Sequence, residues 1–151
     1  MLQLAGLLHD IGKILLDEYF HQDFKAAIDT AVENDESLLA SETAVIGVNH
    51  IDVGAWIGER WNLGNHLMEV IRFHHQPDLA DEKMWPMVAL VHMANYICNH
   101  EGIGKSGDVK PRYLPGVWKK LGLSVSDIPD IVDAVHDESS KSEILMSFVN
   151  E

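Results

Sequence analysis

Leu7-Leu8-His9-Asp10-Ile11-Gly12-Lys13, close to the start of the chain, sets an imidazole beside a carboxylate at the end of an apolar run. The run from Leu2 reads as a helix over 2–11, and Gly12 can end it in a left-handed conformation. Consecutive side chains on a helix point about 100° apart. A helix end lifts that restriction, so His9 and Asp10 can face one point. A transition metal accepts both nitrogen and oxygen donors, which makes the two residues a candidate ligand pair. Lys13 adds a mobile ammonium suited to phosphate. The plainer reading is a helix C-terminus carrying a histidine that favours the dipole. His-Asp alone does not decide between them.

The rest of the chain carries a helical period nearly throughout. Residues 22–34 read as an amphipathic helix with Phe24, Ala27, Ile28, Ala31 and Val32 on one face. Ser37 is an N-cap candidate for a long segment reaching about Trp61, interrupted by Gly47, Gly54 and Gly58, with a break expected near 47–54. Asn62-Leu63-Gly64-Asn65 reads as a turn, and Asn65 as the cap of a helix through His75. Pro77 discourages helix from Gln76 onward, and Pro86 suits the first turn of a helix to about His100. Residues 102–116 read as a loop and 117–122 as a short helix. Ser126 or Asp127 begins the last helix, broken or frayed near Glu138-Ser139-Ser140. With no β-hairpin signal and no internal repeat, the expected fold is all-α, a single helical domain over 1–151.

Composition limits the function. A chain of 151 residues with 46% hydrophobic content can bury a real core. A net charge of −13 argues against nucleic acid or an anionic membrane as partner. The basic stretch of Lys105, Lys110, Arg112, Lys119 and Lys120 reads as a solvated loop and short helix. A single cysteine, Cys98, excludes an internal disulfide and a cysteine-based zinc cluster, and reads as a buried small hydrophobe. Trp56, Trp61, Trp85 and Trp118 read as core or core-edge residues. No apolar run approaches membrane length and no signal-peptide pattern is recognisable, so the expected location is cytoplasmic.

Nine histidines are many for this length. His50 lies in Val48-Asn49-His50-Ile51-Asp52-Val53-Gly54-Ala55, and His74-His75 closes a helix as His9-Asp10 does. Imidazoles and a carboxylate from three helices can converge into a site for Zn, Mn or Fe. Glu42 precedes His50 by eight residues, about 12 Å along a straight helix, so it reads as a hydrogen-bond or ion-pair partner. Asn95 shares a face with Val88, Val91 and Cys98 and reads as a buried amide, with His9 or His50 as candidate partners. His92, His100 and His136 fit no ligand pattern and read as surface or packing residues.

Together, Leu8-His9-Asp10-Ile11-Gly12-Lys13, Glu42, His50 with Val53-Gly54-Ala55, Trp61, and the stretch from Ile71 to Pro77 resemble the HD superfamily. That superfamily comprises metal-dependent phosphohydrolases and their signalling relatives. The likeness is greatest to its HDOD branch, the HD-related output domain of bacterial signalling proteins. It covers roughly residues 2–104 well and the C-terminal helix loosely. The resemblance implies an HD-domain-like helical bundle in which His9 and Asp10 form the central metal pair and His50, His74 and His75 are further ligands. In active members Asp10 would bridge two ions and Lys13 would approach the substrate phosphate, so these two are the catalytic candidates if the domain is active.

The chain also departs from that pattern. Asn95 stands where active HD enzymes carry an aspartate. Only eight residues precede His9, which leaves no upstream helix with a further histidine ligand. After His75 comes Gln76-Pro77-Asp78-Leu79, without the Gly-Tyr-Pro of cyclic-di-GMP phosphodiesterases. The departures imply weak or partial binding of a divalent transition metal and a signalling domain without hydrolytic activity. Its partners would be a signalling protein, a fused domain or a small ligand. The alternative is a metal-dependent phosphohydrolase acting on a nucleotide or phosphate ester. Full HDOD domains carry additional N-terminal helices, so the chain resembles the C-terminal portion of one. Leu2, Leu4, Ala5, Leu7 and Leu8 then lack their expected cover, which favours a homo-oligomer.

Overall fold

Helix α1 (Leu2–Leu8) ends before the apolar run does. Asp10, at φ −103° and ψ 19°, leaves the helical region and serves as N-cap of α2 (Ile11–Asn34). This sparsely populated backbone region often holds active-site residues. Gly12 therefore does not terminate a helix, as the sequence suggests. It sits in the first turn of α2, where a Cβ would lie 1.9 Å from the carbonyl oxygen of His50 and 2.9 Å from the amide nitrogen of Gly54. Its role is close approach of backbones, not left-handed geometry. Phe20 (φ −132°, ψ 38°) interrupts α2, so the expected helix over 22–34 is its second part. Phe24, Ala27 and Ala31 are buried there as read, whereas Val32 is exposed.

The long segment from Ser37 divides into α3 (Leu38–Val45) and α4 (His50–Arg60). Ser37 caps α3 through Ala40 N–H, at 3.3 Å. The break falls at 46–49. Gly47 takes φ +89°, and Asn49 caps α4 by accepting from Ile51 and Asp52 N–H at 3.0 and 3.1 Å. α5 (Asn65–Phe73) has Gly64 at its N-cap, with no side-chain cap, so Asn65 is its first residue and not its cap. A 3₁₀ turn at Pro77–Leu79 leads to α6 (Trp85–His100), α7 (Pro115–Lys120), a second 3₁₀ turn (Val125–Asp127) and α8 (Ile128–Val149). α8 is continuous, and the break expected near Glu138-Ser139-Ser140 does not occur. This computed structural model describes residues 1–104 and 106–149, without the side chains of Val125 and residues 139–149. Lys105 of the basic stretch lies outside the described residues.

Among the described residues the protein is all helix and turn, with no strand. None of the described helices is long and apolar enough to cross a membrane. α2 packs on α3 and α4, α4 on α5, and α1 on α5 and α6. Leu16, Phe24, Ala31 and Leu38 form the core on one side. Ala5, Leu67, Val70, Val88 and Val91 form it on the other. Trp85 and Trp118 are buried as read, but Trp56 and Trp61 are exposed, contrary to the core reading. α4 and α5 bury their apolar stripes without either indole. Cys98 is half-buried rather than core. α1 presents Leu2, Leu4 and Leu7 to solvent, Leu7 at 76% exposure, and only Ala5 is fully covered.

Gly12→Ala should destabilise by about 3 kcal/mol or more in urea unfolding, because a methyl group has no space beside the His50 carbonyl. Gly6→Ala, with nothing within 4 Å of the added carbon, should be neutral or stabilising by up to about 1 kcal/mol. Equal unfolding midpoints for the two variants would contradict this account of the α2–α4 crossing.

Candidate metal centre

Three helix ends meet at one point. Asp10 occupies the corner between α1 and α2, His50 begins α4, and His74 and His75 follow α5. The break at 46–49 turns the end of α3 back over the start of α4. Glu42 therefore reaches His50, accepting from its backbone N–H at 2.9 Å and from Nδ1 at 2.6 Å. Both residues are fully buried. The role read for Glu42 is the one observed, and the straight-helix separation does not apply.

Each inner histidine is oriented from behind. His9 Nδ1–H donates to the Gly6 carbonyl at 2.7 Å. His50 Nδ1–H donates to Glu42, and His74 Nδ1–H to the carbonyls of Val70 and Ile71, both at 3.1 Å. With Nδ1 of each ring held by an acceptor behind it, Nε2 is turned inward, the arrangement that metal-ligating histidines adopt. His50 Nε2 lies 3.6 Å and His74 Nε2 3.4 Å from Asp10 Oδ1. His75 Nε2 lies 3.1 Å from His50 Nε2. One ligand atom from each of Asp10, His50, His74 and His75 falls within 4.8 Å of the others. A tetrahedral ion with nitrogen and oxygen ligands has ligand–ligand edges of about 3.4 Å, which the separations of 3.1, 3.4 and 3.6 Å match, and a set spread over 4.8 Å needs to contract to close around it. Asp10 Oδ1 and His74 Nε2 are buried with no hydrogen-bond partner, and a cation would satisfy both.

His9 stands on the other side of Asp10, with Nε2 3.3 Å from Oδ2 and its ring edge-on to His74. Lys13 Nζ donates to the same Oδ2 at 2.7 Å. Burial works against the Asp10 charge, but His9 and the Lys13 ammonium beside Oδ2 outweigh it and hold the carboxyl well below the usual range. Burial drops His74 to about 4 and His75 to about 2, so both are neutral at pH 7. For His9, burial is overcome by Asp10, and its pKa is raised.

Asn95 is half-buried and, among the described residues, hydrogen-bonds to neither His9 nor His50. Its Oδ1 accepts from Asn99 Nδ2 at 2.9 Å. His92, read as a surface or packing residue, is buried and donates from Nδ1 to the His74 carbonyl at 2.7 Å, which fixes the end of α5. Its helical spacing from Val88 on the buried face was the available signal. His100 and His136 are exposed, as read.

Stability should fall as pH is lowered from 7 towards 4. In the unfolded chain His74 and His75 bind protons near their ordinary 6.5, whereas in the fold they stay neutral to about 4 and about 2. The unfolded state then binds more protons and gains on acidification. His9, raised in the fold, opposes this as a single group. A thermal midpoint that stays level or rises between pH 7 and pH 5 would rule out the neutral His74-His75 pair.

The HDOD domain family model matches residues 1–77, which include all seven of His9, Asp10, Lys13, Glu42, His50, His74 and His75. An uncharacterized protein of Treponema pallidum (strain Nichols) is 28% identical over 92 residues, 61% of this chain and 18% of that one. A crystal structure of an HDOD domain protein of unknown function from Geobacter sulfurreducens is 25% identical, with a TM-score of 0.71 over 93% of this chain and 50% of its own. A Marinobacter aquaeolei VT8 protein, provisionally named for signal transduction, is 17% identical with a TM-score of 0.77 over 99% of this chain and 33% of its own. A Shewanella amazonensis SB2B protein, provisionally named a phosphohydrolase, is 22% identical with a TM-score of 0.61 over 88% of this chain and 49% of its own. The chain thus spans half or less of each relative, and the last two share its fold alone. With the family pattern extending over just more than half of its length and through every residue of the cluster, the chain belongs to the HDOD domain family.

Proposed function

We propose that this is a cytoplasmic, regulatory HDOD domain that holds at most one divalent transition metal and binds a small anionic ligand or a signalling partner without hydrolysing it. The ligands would be Asp10 Oδ1, His50, His74 and His75, and the ion Fe, Mn or Zn. The observation that carries this reading is the Lys13 ammonium, buried against Asp10 Oδ2 at 2.7 Å. That oxygen, with His9 behind it, is the one a second cation would need if Asp10 bridged two ions. Asn95 offers a neutral amide engaged with Asn99 where a further carboxylate would help. A bound ion would polarise an approaching oxyanion. The protein's own part is to keep His74 and His75 neutral, to hold His50 in one tautomer through Glu42, and to neutralise Asp10 with Lys13. The signalling half of the proposal follows the name of the Marinobacter protein whose fold the chain shares. The exposed Leu2, Leu4 and Leu7 suit a homo-oligomer or an adjoining domain.

The second reading is a metal-dependent phosphohydrolase. One observation favours it: His9 Nε2 already faces Asp10 Oδ2 at 3.3 Å. A swing of the Lys13 stem would open that oxygen to a second ion, with Lys13 free to meet phosphate.

Elemental analysis of protein purified without added metal, then titrated with Mn or Fe, should give no more than one ion per chain. Glu42→Gln should weaken it about 10- to 100-fold, as loss of an outer-shell partner does. Phosphodiesters and cyclic dinucleotides should not turn over above background. Two tightly held ions, together with turnover that Asp10→Ala abolishes, would establish the hydrolase instead. Light scattering should find an oligomer, and a monodisperse monomer at micromolar concentration would exclude self-association through α1.

A further inference from the structure

The loop between α6 and α7 is pinned on both sides of Arg112. Before it, Lys110 Nζ donates to the Asp35 carbonyl and carboxylate at 2.7 and 2.6 Å. Ser106 donates to Asn99 Oδ1. After it, Tyr113 packs against Tyr96 and Trp118, with ring centroids 5.5 Å away in each case. Arg112 itself is exposed and makes no hydrogen bond or ion pair among the described residues. The pinned loop sets the backbone of Arg112 in one place, so only its side chain remains to be ordered by a ligand.

That place is a small polar recess lined by Arg112, His75, His92, Asn95, Asn99 and Asp108, with room for about one water-sized group, about 10 Å³. His92 is only 4% exposed, and its Nε2 is buried without a partner. Asn95 accepts through Oδ1 from Asn99, while its own Nδ2 makes no hydrogen bond among the described residues. The lining acid, Asp108, turns Oδ1 to the backbone N–H groups of Leu38 and Lys110, at 3.5 and 3.4 Å. His75 belongs both to this recess and to the candidate metal group, so the two adjoin.

We propose that the recess is an oxyanion subsite in which Arg112 and Asn95 hold a phosphate group of the ligand beside His75. A guanidinium fork matches two phosphate oxygens, and the recess admits an oxygen but not a ring. In a chain of net charge −13, an anion needs such a local built site, because the general field repels it. Of the described basic groups near the loop, Lys110 is engaged with Asp35 and Lys120 lies over the Trp85 ring at 3.9 Å. The proposal rests on reading the cleft as a ligand site, but it does not require that a metal binds.

The test is titration of inorganic phosphate into metal-free protein kept in EDTA, followed by calorimetry and by NMR of the Arg112 Nε–H and Asn95 amide signals. Saturable binding is expected, with both signals moving. Arg112→Ala should weaken it about tenfold or more, and Arg112→Lys by less, since it keeps the charge and loses the fork. Lys119→Ala, which removes the same charge from α7, should leave binding unchanged. The metal content of metal-loaded Arg112→Ala should equal that of the wild type, and thermal midpoints verify that each variant folds. No phosphate binding by the wild type, undiminished binding by Arg112→Ala, or an equal loss in Lys119→Ala would each overturn the subsite. Failure of the metal reading appears separately, as absence of bound ion in the loaded wild type.

Discussion

The crossing of α2 and α4 at Gly12 sets the position of everything around the cluster. With a Cβ placed 1.9 Å from the His50 carbonyl, any other residue at position 12 drives the two helices apart. Gly12 lies two residues after Asp10, and the carbonyl it touches belongs to His50, so this backbone contact fixes the 3.6 Å approach of their side chains. Gly54, one turn along α4, repeats the device: a Cβ there would meet Ile71 Cγ2 at 3.0 Å. Ile71 precedes His74 by three residues on α5 and supplies one of the carbonyls that orient its ring. Two positions without side chains thus hold three helix ends in register. A metal-ligand distance tolerates an error of only about 0.2 Å, so this register is what makes a four-atom donor set possible.

Buried polar groups favour partners, and the broken helix supplies two for one oxygen of Glu42. A carboxylate as enclosed as that of Glu42 is costly unless it is hydrogen-bonded. The turn at 46–49 brings it to the first N–H of α4 and to the His50 ring together. By accepting from Nδ1, Glu42 fixes the histidine tautomer. Continuous helix through 38–60 would separate the two residues and leave both without partners. The cap at Asn49 is therefore a condition of the site as well as of α4.

Much of this is legible in the sequence. Helical period, Ser37, Pro86 and the His-rich helix ends lead to an all-α fold with His9, Asp10, His50, His74 and His75 drawn together. What the sequence misreads is contact-dependent. Gly12 carries the same letter whether it ends a helix or admits a backbone, and only the partner helix distinguishes the two uses. Val32, Trp56 and Trp61 are apolar by composition, yet their exposure depends on where neighbouring helices stop. Asn95 and His92 share one face of α6, but which of them turns to the His74 carbonyl depends on the angle of α6 against α5, and a one-dimensional pattern carries no angle.

Lys13 links the fold to the proposed function. An ionised, mostly buried carboxylate such as Asp10 needs a positive neighbour, and in many structural metal sites the ion is that neighbour, so the apo fold collapses without it. Here the ammonium supplies the charge at Oδ2, His9 lies beside it, and Nε2 of His50 and of His74 face Oδ1. The charge of Asp10 is thus met by the ammonium at Oδ2, while Oδ1 faces the two rings. The same ammonium repels an ion arriving at Oδ1, which lowers its affinity without closing the site. If the cluster binds the proposed ion, a built-in cation that moderates its affinity would let occupancy change while the Gly12 crossing keeps the helices in place. That property suits a domain that reports on a ligand better than one that must keep two ions fixed for turnover.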